Sequence, residues 1–442
     1  MRAAMVPDLP SRIGVPIDAV NYSSPRADVP ALTGLRFIAA FSVLIAHGVS
    51  WTLQGHETFR GVIYWIIQLS GFGMTLFFVL SGFVIHYNYA HLVTDGRFRG
   101  IGVFLWARFA RLYPLFVLMM LIYVLAGSRT HDLLTGHAER FGSTLRAIPY
   151  FLFSVQSWFY VLIDDNPLLS AIGGGSPITW SISTEWFFYF SYPCIAWLIL
   201  RARTPRFALL AVLAWCFLWS AAVIALFDQR VAINAWSIAR FGPMADSDDH
   251  LQESFVRWLF YYSPYLRIGE FILGALVCQL YRLLQKRPIN PRENVTGGAI
   301  FLVAALSVVP IMYLSYGADS PNIFSKMNMN FALAPSAALL IFCGARYDNA
   351  VIRLLTSTPA ILLGEASYSI YLVHEFVLAS AVKLTGSAQH TLGYDLVKLV
   401  LLFAIVLLIS LGLYAYYEAP ARKWLRRRWS RQIPEARRPS AF

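Results

Sequence analysis

Residues 32–47 read Leu32-Thr-Gly-Leu-Arg36-Phe-Ile-Ala-Ala-Phe-Ser-Val-Leu-Ile-Ala-His47, an apolar run broken by one arginine and one histidine. Continued to residue 52, it reaches the length of about 20 apolar residues that a helix needs to cross a bilayer. Arg36 and His47 stand eleven positions apart. At about 100° per residue that is within some 20° of whole turns, so both lie on one face, roughly 16 Å apart along the axis. An ionisable group at membrane depth costs on the order of 2.5–3.5 kcal/mol. A helix with two of them on one stripe must turn that stripe toward other helices, and the expected fold is an all-α, polytopic membrane bundle with a polar interior.

The rest of the chain agrees. Of 442 residues, 57% are hydrophobic and only 14% charged, against roughly 25% charged in soluble domains, and the mean hydropathy is +0.56. That excludes an ordinary water-soluble enzyme, a disordered chain and a disulfide scaffold. Cys194, Cys216, Cys278 and Cys343 stand singly in apolar runs, with no Cys/His ligand spacing, so no metal is expected. Ten spans are expected, at 32–52, 61–88, 112–127, 177–200, 207–227, 256–281, 296–316, 330–345, 359–382 and 394–417. An eleventh apolar stretch, 146–163, holds Pro149, Gln156 and Ser157 and ends in Asp164-Asp165.

Charge decides that stretch. With ten spans, 25 of the 36 Lys and Arg fall on one side and ten on the other, with Arg267 inside a span. Counting 146–163 as a span would destroy the asymmetry that orients membrane helices, so it is expected to be re-entrant or interfacial on the outer side. Both termini are then cytoplasmic, and the basic excess is explained without nucleic acid. Residues 1–30 carry five prolines and no apolar core of a signal peptide, and are expected to be a loose cytoplasmic tail. Residues 31–420 form the membrane domain and 421–442 a basic cytoplasmic tail. Its Arg426, Arg427 and Arg428, beside Trp424 and Trp429, suit anionic headgroups or a plain topology anchor. The loop 228–257, with Asp246, Asp248, Asp249, His250 and Glu253, reads as a solvated acidic loop, too irregular for calcium.

With no soluble catalytic domain legible, any active site is expected within the bundle, among ionisable groups inside the spans. In Trp180-Ser-Ile-Ser-Thr-Glu185-Trp-Phe-Phe-Tyr189, residues Ser181, Glu185 and Tyr189 repeat every fourth position and stack on one face. A buried carboxylate there needs a proton or a cation. Ser367, Tyr371 and His374 follow i, i+4, i+7 on another helix. Arg108 and Arg111, at i and i+3, suit a two-point grip on phosphate oxygens, or mark an ordinary basic flank.

These landmarks together resemble the membrane acyltransferase-3 family, whose bacterial members O-acylate surface carbohydrates, exported glycans and some small molecules. The matching segments are Leu32–Arg36 with His47, Thr75–Ile85, Arg108–Pro114, Trp180–Tyr189, Ser367–His374 and Tyr416–Pro420, in the family's order and over nearly the whole chain. The resemblance implies a transferase in the bacterial inner membrane. It would take an acyl group, most often acetyl, from cytoplasmic acyl-CoA to a hydroxyl of a carbohydrate such as a cell-surface or exported polysaccharide. Arg36, Arg108 and Arg111 would hold the donor. His47, Glu185 and His374 would be catalytic, His47 as base or transient acyl carrier, with Trp180, Ser181 and Tyr371 positioning substrate. Thr184-Glu185 offers one carboxylate where the family usually has an acidic pair, and the esterase-like domain of some members is not seen in the sequence. A transporter or flippase of a lipid-linked glycan is the chief rival reading, in which the buried groups form a substrate or proton path. A non-catalytic partner in glycan assembly is the third.

Overall fold

Residues 29–94, 98–126, 138–172, 178–317, 322–385 and 390–432 are described by the structure, a computed structural model. The expected loose tail over 1–30 and the end of the basic tail after 432 fall almost wholly outside the described residues. The elements run α1 (Pro30–Leu53), α2 (Arg60–Ile67), α3 (Leu69–Thr94), α4 (Phe98–Ala126), α5 (Ala138–Leu152), a two-residue hairpin of β1 (Leu162–Ile163) and β2 (Asn166–Pro167), then α6 (Trp180–Ile199), α7 (Pro205–Asp228), α8 (Arg230–Phe241), α9 (Pro264–Leu284) and α10 (Pro291–Tyr316). After them come α11 (Ala334–Arg346), α12 (Ala350–Leu355), α13 (Thr358–Glu365), α14 (Ser367–Thr385), α15 (Leu392–Leu413) and α16 (Ala419–Gln432). Helices α1, α7, α9 and α10 open on a proline, whose fixed φ suits a first turn that has no use for its missing N–H. Thr204 and Asn290 cap α7 and α10 by accepting from the amides of Phe207 and Glu293 at 3.3 and 2.7 Å.

Among the described residues, six helical units are long and apolar enough to cross a membrane: Pro30–Leu53, Glu57–Val93, Phe98–Leu125, Pro205–Asp228, Pro291–Tyr316 and Leu392–Arg428. Helices α13 and α14, bent by 67°, make a seventh if they form one broken span. The count of ten is therefore not met by length and hydropathy. The other three expected spans are helical too, but α6 carries Ser, Thr, Glu and Tyr, α9 carries Arg267, Glu270 and Gln279, and α11 has only 13 residues. Polar side chains set α6 and α9 apart, and short length sets α11 apart.

Contacts sort the helix ends into two layers. At one, Gln279 donates to the Ala202 carbonyl at 2.8 Å, and Arg346 reaches the Leu284 carbonyl and Glu293 at 2.8 and 3.0 Å. At the other, Tyr64 donates to the Tyr316 carbonyl at 3.1 Å, while Lys326 pairs with Asp228 at 2.7 Å and His56 with Asp395 at 2.8 Å. The long helices thus alternate in direction through one bundle. Helix α7 buries only Ala208 and Val223 and leaves Leu210, Phe217 and Leu218 exposed, as a helix facing lipid does.

Helix α3 stands at the centre, contributing Phe78 to one core cluster and Leu76, Val79 and Phe83 to the other. It crosses α9 through reciprocal glycines. A Cβ on Gly82 would meet the Phe271 carbonyl oxygen at 1.9 Å, and one on Gly274 the Val79 oxygen at 1.9 Å. Small residues let backbones touch where lipid supplies no hydrophobic drive between helices. Gly82→Ala is therefore expected to destabilise the bundle by about 1–3 kcal/mol or more, as overpacking does. Gly412→Ala, where a Cβ meets nothing within 4 Å, is expected to be neutral. Thermal unfolding of the two proteins in the same detergent checks the contrast.

The 146–163 segment does not form a spanning helix. Helix α5 stops at Leu152, Ser154 and Asp164 take φ of 52° and 51°, and the segment folds back onto α6. There Gln156 donates to the Thr179 carbonyl at 3.1 Å, Ser157 to Ser183 at 2.9 Å, and Trp258 to the Ser157 carbonyl at 3.0 Å. In the 228–257 region Asp248 and Asp249 are exposed, and Asn234 on α8 clasps the loop. Asn234 donates to Asp246 at 2.9 Å and accepts from the Ser247 amide at 2.9 Å. The Asn234 donation, with that of the Asp248 amide, holds the Asp246 carboxyl below its ordinary range.

Candidate active site

Helices α1, α3, α4, α6 and α14 line one cavity that is partly open to the surface. Arg36 enters it from α1, Phe77, Phe78 and Ser81 from α3, Arg108 and Arg111 from α4, Ser181 and Glu185 from α6, and Ser367, Tyr368 and Tyr371 from α14. Its basic side is anchored by packing. Arg108 is buried, donates to the Tyr89 hydroxyl at 2.7 Å, and keeps an Nε without a hydrogen-bond partner. Glu185 accepts from Tyr189, one turn on, at 2.9 Å. Tyr368 donates to the Leu112 carbonyl at 2.7 Å, which locks α14 onto α4. Ser181 donates to the Tyr371 hydroxyl at 2.9 Å, which donates in turn to the Ile178 carbonyl at 2.8 Å.

Beside this cavity lie two imidazoles. His47 Nδ1 is 2.9 Å from His374 Nε2, and His374 Nδ1 is 3.3 Å from the Ile370 carbonyl oxygen. A carbonyl only accepts, so His374 Nδ1 carries the proton and its Nε2 is the acceptor. His47 Nδ1 must then donate, which leaves His47 Nε2 with a free lone pair. Glu375 Oε2 is 3.4 Å from His47 Nδ1, and Glu375 and His374 are each 1% exposed. The three donor atoms lie within 4.8 Å of one another, close enough to hold a divalent cation as well as a proton.

Six of the nine residues singled out from sequence thus line one cavity: Arg36, Arg108, Arg111, Ser181, Glu185 and Tyr371. His47 and His374 are brought together but stand beyond Tyr371. The Tyr371 ring centroid is 5.8 Å from that of His374 and 5.9 Å from that of Phe77, another cavity wall. Trp180 is buried behind the wall, 5.7 Å from the Phe78 ring and 5.6 Å from the Arg267 guanidinium. Glu185 bonds Tyr189, and His374 bonds His47, so the two are in separate hydrogen-bonded sets.

Sequence reasoning passed over Glu375, although a carboxylate next to an intramembrane histidine was visible. It also assigned no role to Arg267, whose Nη1 meets both oxygens of Glu270 at 3.0 and 3.2 Å. Their spacing of three residues within a span was the available signal. Thr75 donates to Glu270 at 2.7 Å, the Phe331 amide does so at 3.3 Å, and Arg267 Nε donates to the Tyr261 carbonyl at 2.9 Å.

The profile of the acyltransferase-3 family, described as an acyltransferase domain, matches residues 29–415. The acyltransferase MdmB of Streptomyces mycarofaciens is 28% identical over 369 residues, which are 83% of this chain and 82% of that protein. The "Putative peptidoglycan O-acetyltransferase YrhL" of Bacillus subtilis is 24% identical over 416 residues, 92% of this chain but 56% of the relative, so the chain spans little more than half of YrhL. No solved structure matches. With the profile covering all but the two ends of the chain, and with its landmark residues gathered around one cavity in a membrane-type bundle, this protein belongs to the acyltransferase-3 family and is an acyltransferase.

Proposed function

We propose that this protein transfers an acyl group, acetyl first, from acyl-CoA to a hydroxyl of a carbohydrate such as a cell-surface or exported polysaccharide. The observation that carries the reading is the convergence of Arg36, Arg108 and Arg111 on one cavity whose far wall, Tyr371, borders the His47–His374 pair. A donor bearing phosphates needs fixed cations, and arginine supplies them without losing its charge. The basic end of the bundle then faces the cytoplasm, with both termini there and the protein in the inner membrane. YrhL, named for peptidoglycan, supports an acceptor of polymeric carbohydrate.

A hydroxyl becomes a competent nucleophile when its proton is accepted as the new bond forms. In this reading His47 Nε2 takes that proton. The oxygen bonds to the thioester carbonyl carbon, the C–S bond breaks, and the thiolate leaves with the proton returned from His47. The transient imidazolium is held by the Glu375 carboxylate 3.4 Å from its Nδ1.

Two measurements test this. Purified protein in lipid nanodiscs should bind and consume acetyl-CoA in the presence of glycan. Cells lacking the gene should lose an ester-linked mass from their glycans, restored by the intact gene and not by a His47→Ala copy. Protein that neither binds nor consumes acyl-CoA, with glycan esters unchanged in the deleted strain, would overturn the proposal. Arg108→Gln is expected to raise the donor Kd about 10- to 100-fold, as loss of a hydrogen bond to a charged group worth about 1.5–3 kcal/mol requires. Titration calorimetry reads that shift.

A further inference from the structure

The arginine-rich end of the chain is not explained by the cavity alone. Helix α16 is docked on α4, the helix that carries Arg108 and Arg111. Trp106 donates to the Leu425 carbonyl at 3.2 Å, and Tyr417, just before α16, donates to the Pro114 carbonyl at 3.3 Å. Ser369 ties Glu418 to α14 at 2.7 Å. Arg422 and Arg426, four residues apart, share one face of α16. Arg428 lies about 200° round the helix from Arg426, and its guanidinium stacks on Trp424 at 4.2 Å.

The face with Arg422 and Arg426 looks toward the cavity arginines. Arg426 is within electrostatic range of Tyr89, Arg108 and Arg111, and Arg422 of Arg111 and Glu418. Arg36 is in turn within range of Arg108, Arg111 and Glu185. Arg36, Arg108 and Arg111 line the cavity, and Arg422 and Arg426 on α16 stand next to that set, with Glu185 and Glu418 as its carboxylates. Like charges packed this closely repel, and a multiply charged anion relieves the repulsion. Arg422 is half-buried and Arg426 exposed, so both remain accessible to a ligand.

Resting on the acyl-CoA reading, we propose that α16 is part of the donor site, and that Arg422 and Arg426 grip the phosphate farthest from the thioester, the 3′-phosphate of the nucleotide. Coenzyme A carries a diphosphate and a separate 3′-phosphate. The inner arginines suit the first, and the outer pair reaches what projects beyond them.

The test compares acetyl-CoA with its 3′-dephospho analogue, by titration in neutral phosphatidylcholine nanodiscs. Wild-type protein should favour acetyl-CoA by tenfold or more. Arg422→Gln with Arg426→Gln should bring the two donors within threefold, mainly through KM. Arg428→Gln, which removes the same charge from the opposite face, should keep the preference. Arg422→Lys with Arg426→Lys keeps the charge and should retain most of the preference, which guards against a glutamine pair that fails to fold. A glutamine pair that discriminates like wild type would overturn the proposal. So would a pair that loses only bound phosphatidylglycerol, in parallel anionic nanodiscs, since the arginines would then serve headgroups. If the wild type binds neither donor, the acyl-CoA reading itself fails; if it binds both equally, only the role of α16 does.

Discussion

His47→Gln protein is expected to insert and fold normally while its kcat for acyl transfer falls about 10²- to 10⁴-fold, the usual worth of a positioned general base. Glutamine fills much of the imidazole's volume but cannot accept a proton near neutrality. The KM for acyl-CoA should stay within about threefold, because Arg36 stands roughly 16 Å away along the same helix. Glu375→Gln should give a smaller loss in kcat. It leaves the base in place and removes only the charge, 3.4 Å from Nδ1, that stabilises the imidazolium. Steady-state kinetics in nanodiscs separate the two variants, and a His47→Gln enzyme within threefold of wild-type turnover would refute the assignment.

Glu270→Gln is expected to lower stability by about 3–5 kcal/mol, the cost of leaving a buried charge without its counter-ion. Arg267 and Glu270 are 1% and 0% exposed, so water cannot solvate the orphaned guanidinium. The effect should spread to the cavity, since Arg267 sits 5.6 Å from Trp180 and 5.7 Å from Phe78. Replacing both partners, Arg267→Met with Glu270→Leu, should recover part of the loss, because an apolar pair leaves no buried charge. Recovery should be incomplete, because Thr75 and the Phe331 amide lose their shared acceptor. Thermal unfolding in detergent gives the ranking. A Glu270→Gln protein as stable as wild type would mean that water or another group already screens Arg267.

The donor side of the site was legible in the sequence because its logic is local. Arg108 and Arg111 share a face by their spacing, as do Ser181 and Glu185, and helical periodicity needs no partner to be read. The spans that carry ionisable residues were harder. Helix α9 was expected as a span, but why it tolerates Arg267 there emerges only once Arg267 is seen to pair with Glu270 and to lie against Tyr261. Glu375 was visible beside His374, but nothing near it in sequence says which group it faces. Its partner, His47, is on α1.

Sequence alone determined that the chain is a membrane helical bundle, that Arg36 and His47 share a stripe, and which short segments hold ionisable groups inside it, because these follow from run length, charge and the helical repeat. Only the tertiary structure decided that His47 meets His374, 327 positions away, and that three arginines from two helices open on one cavity. Those pairings depend on which backbones can approach each other, as at Gly82 and Gly274. Close approach is a property of two surfaces, and no single helix encodes it.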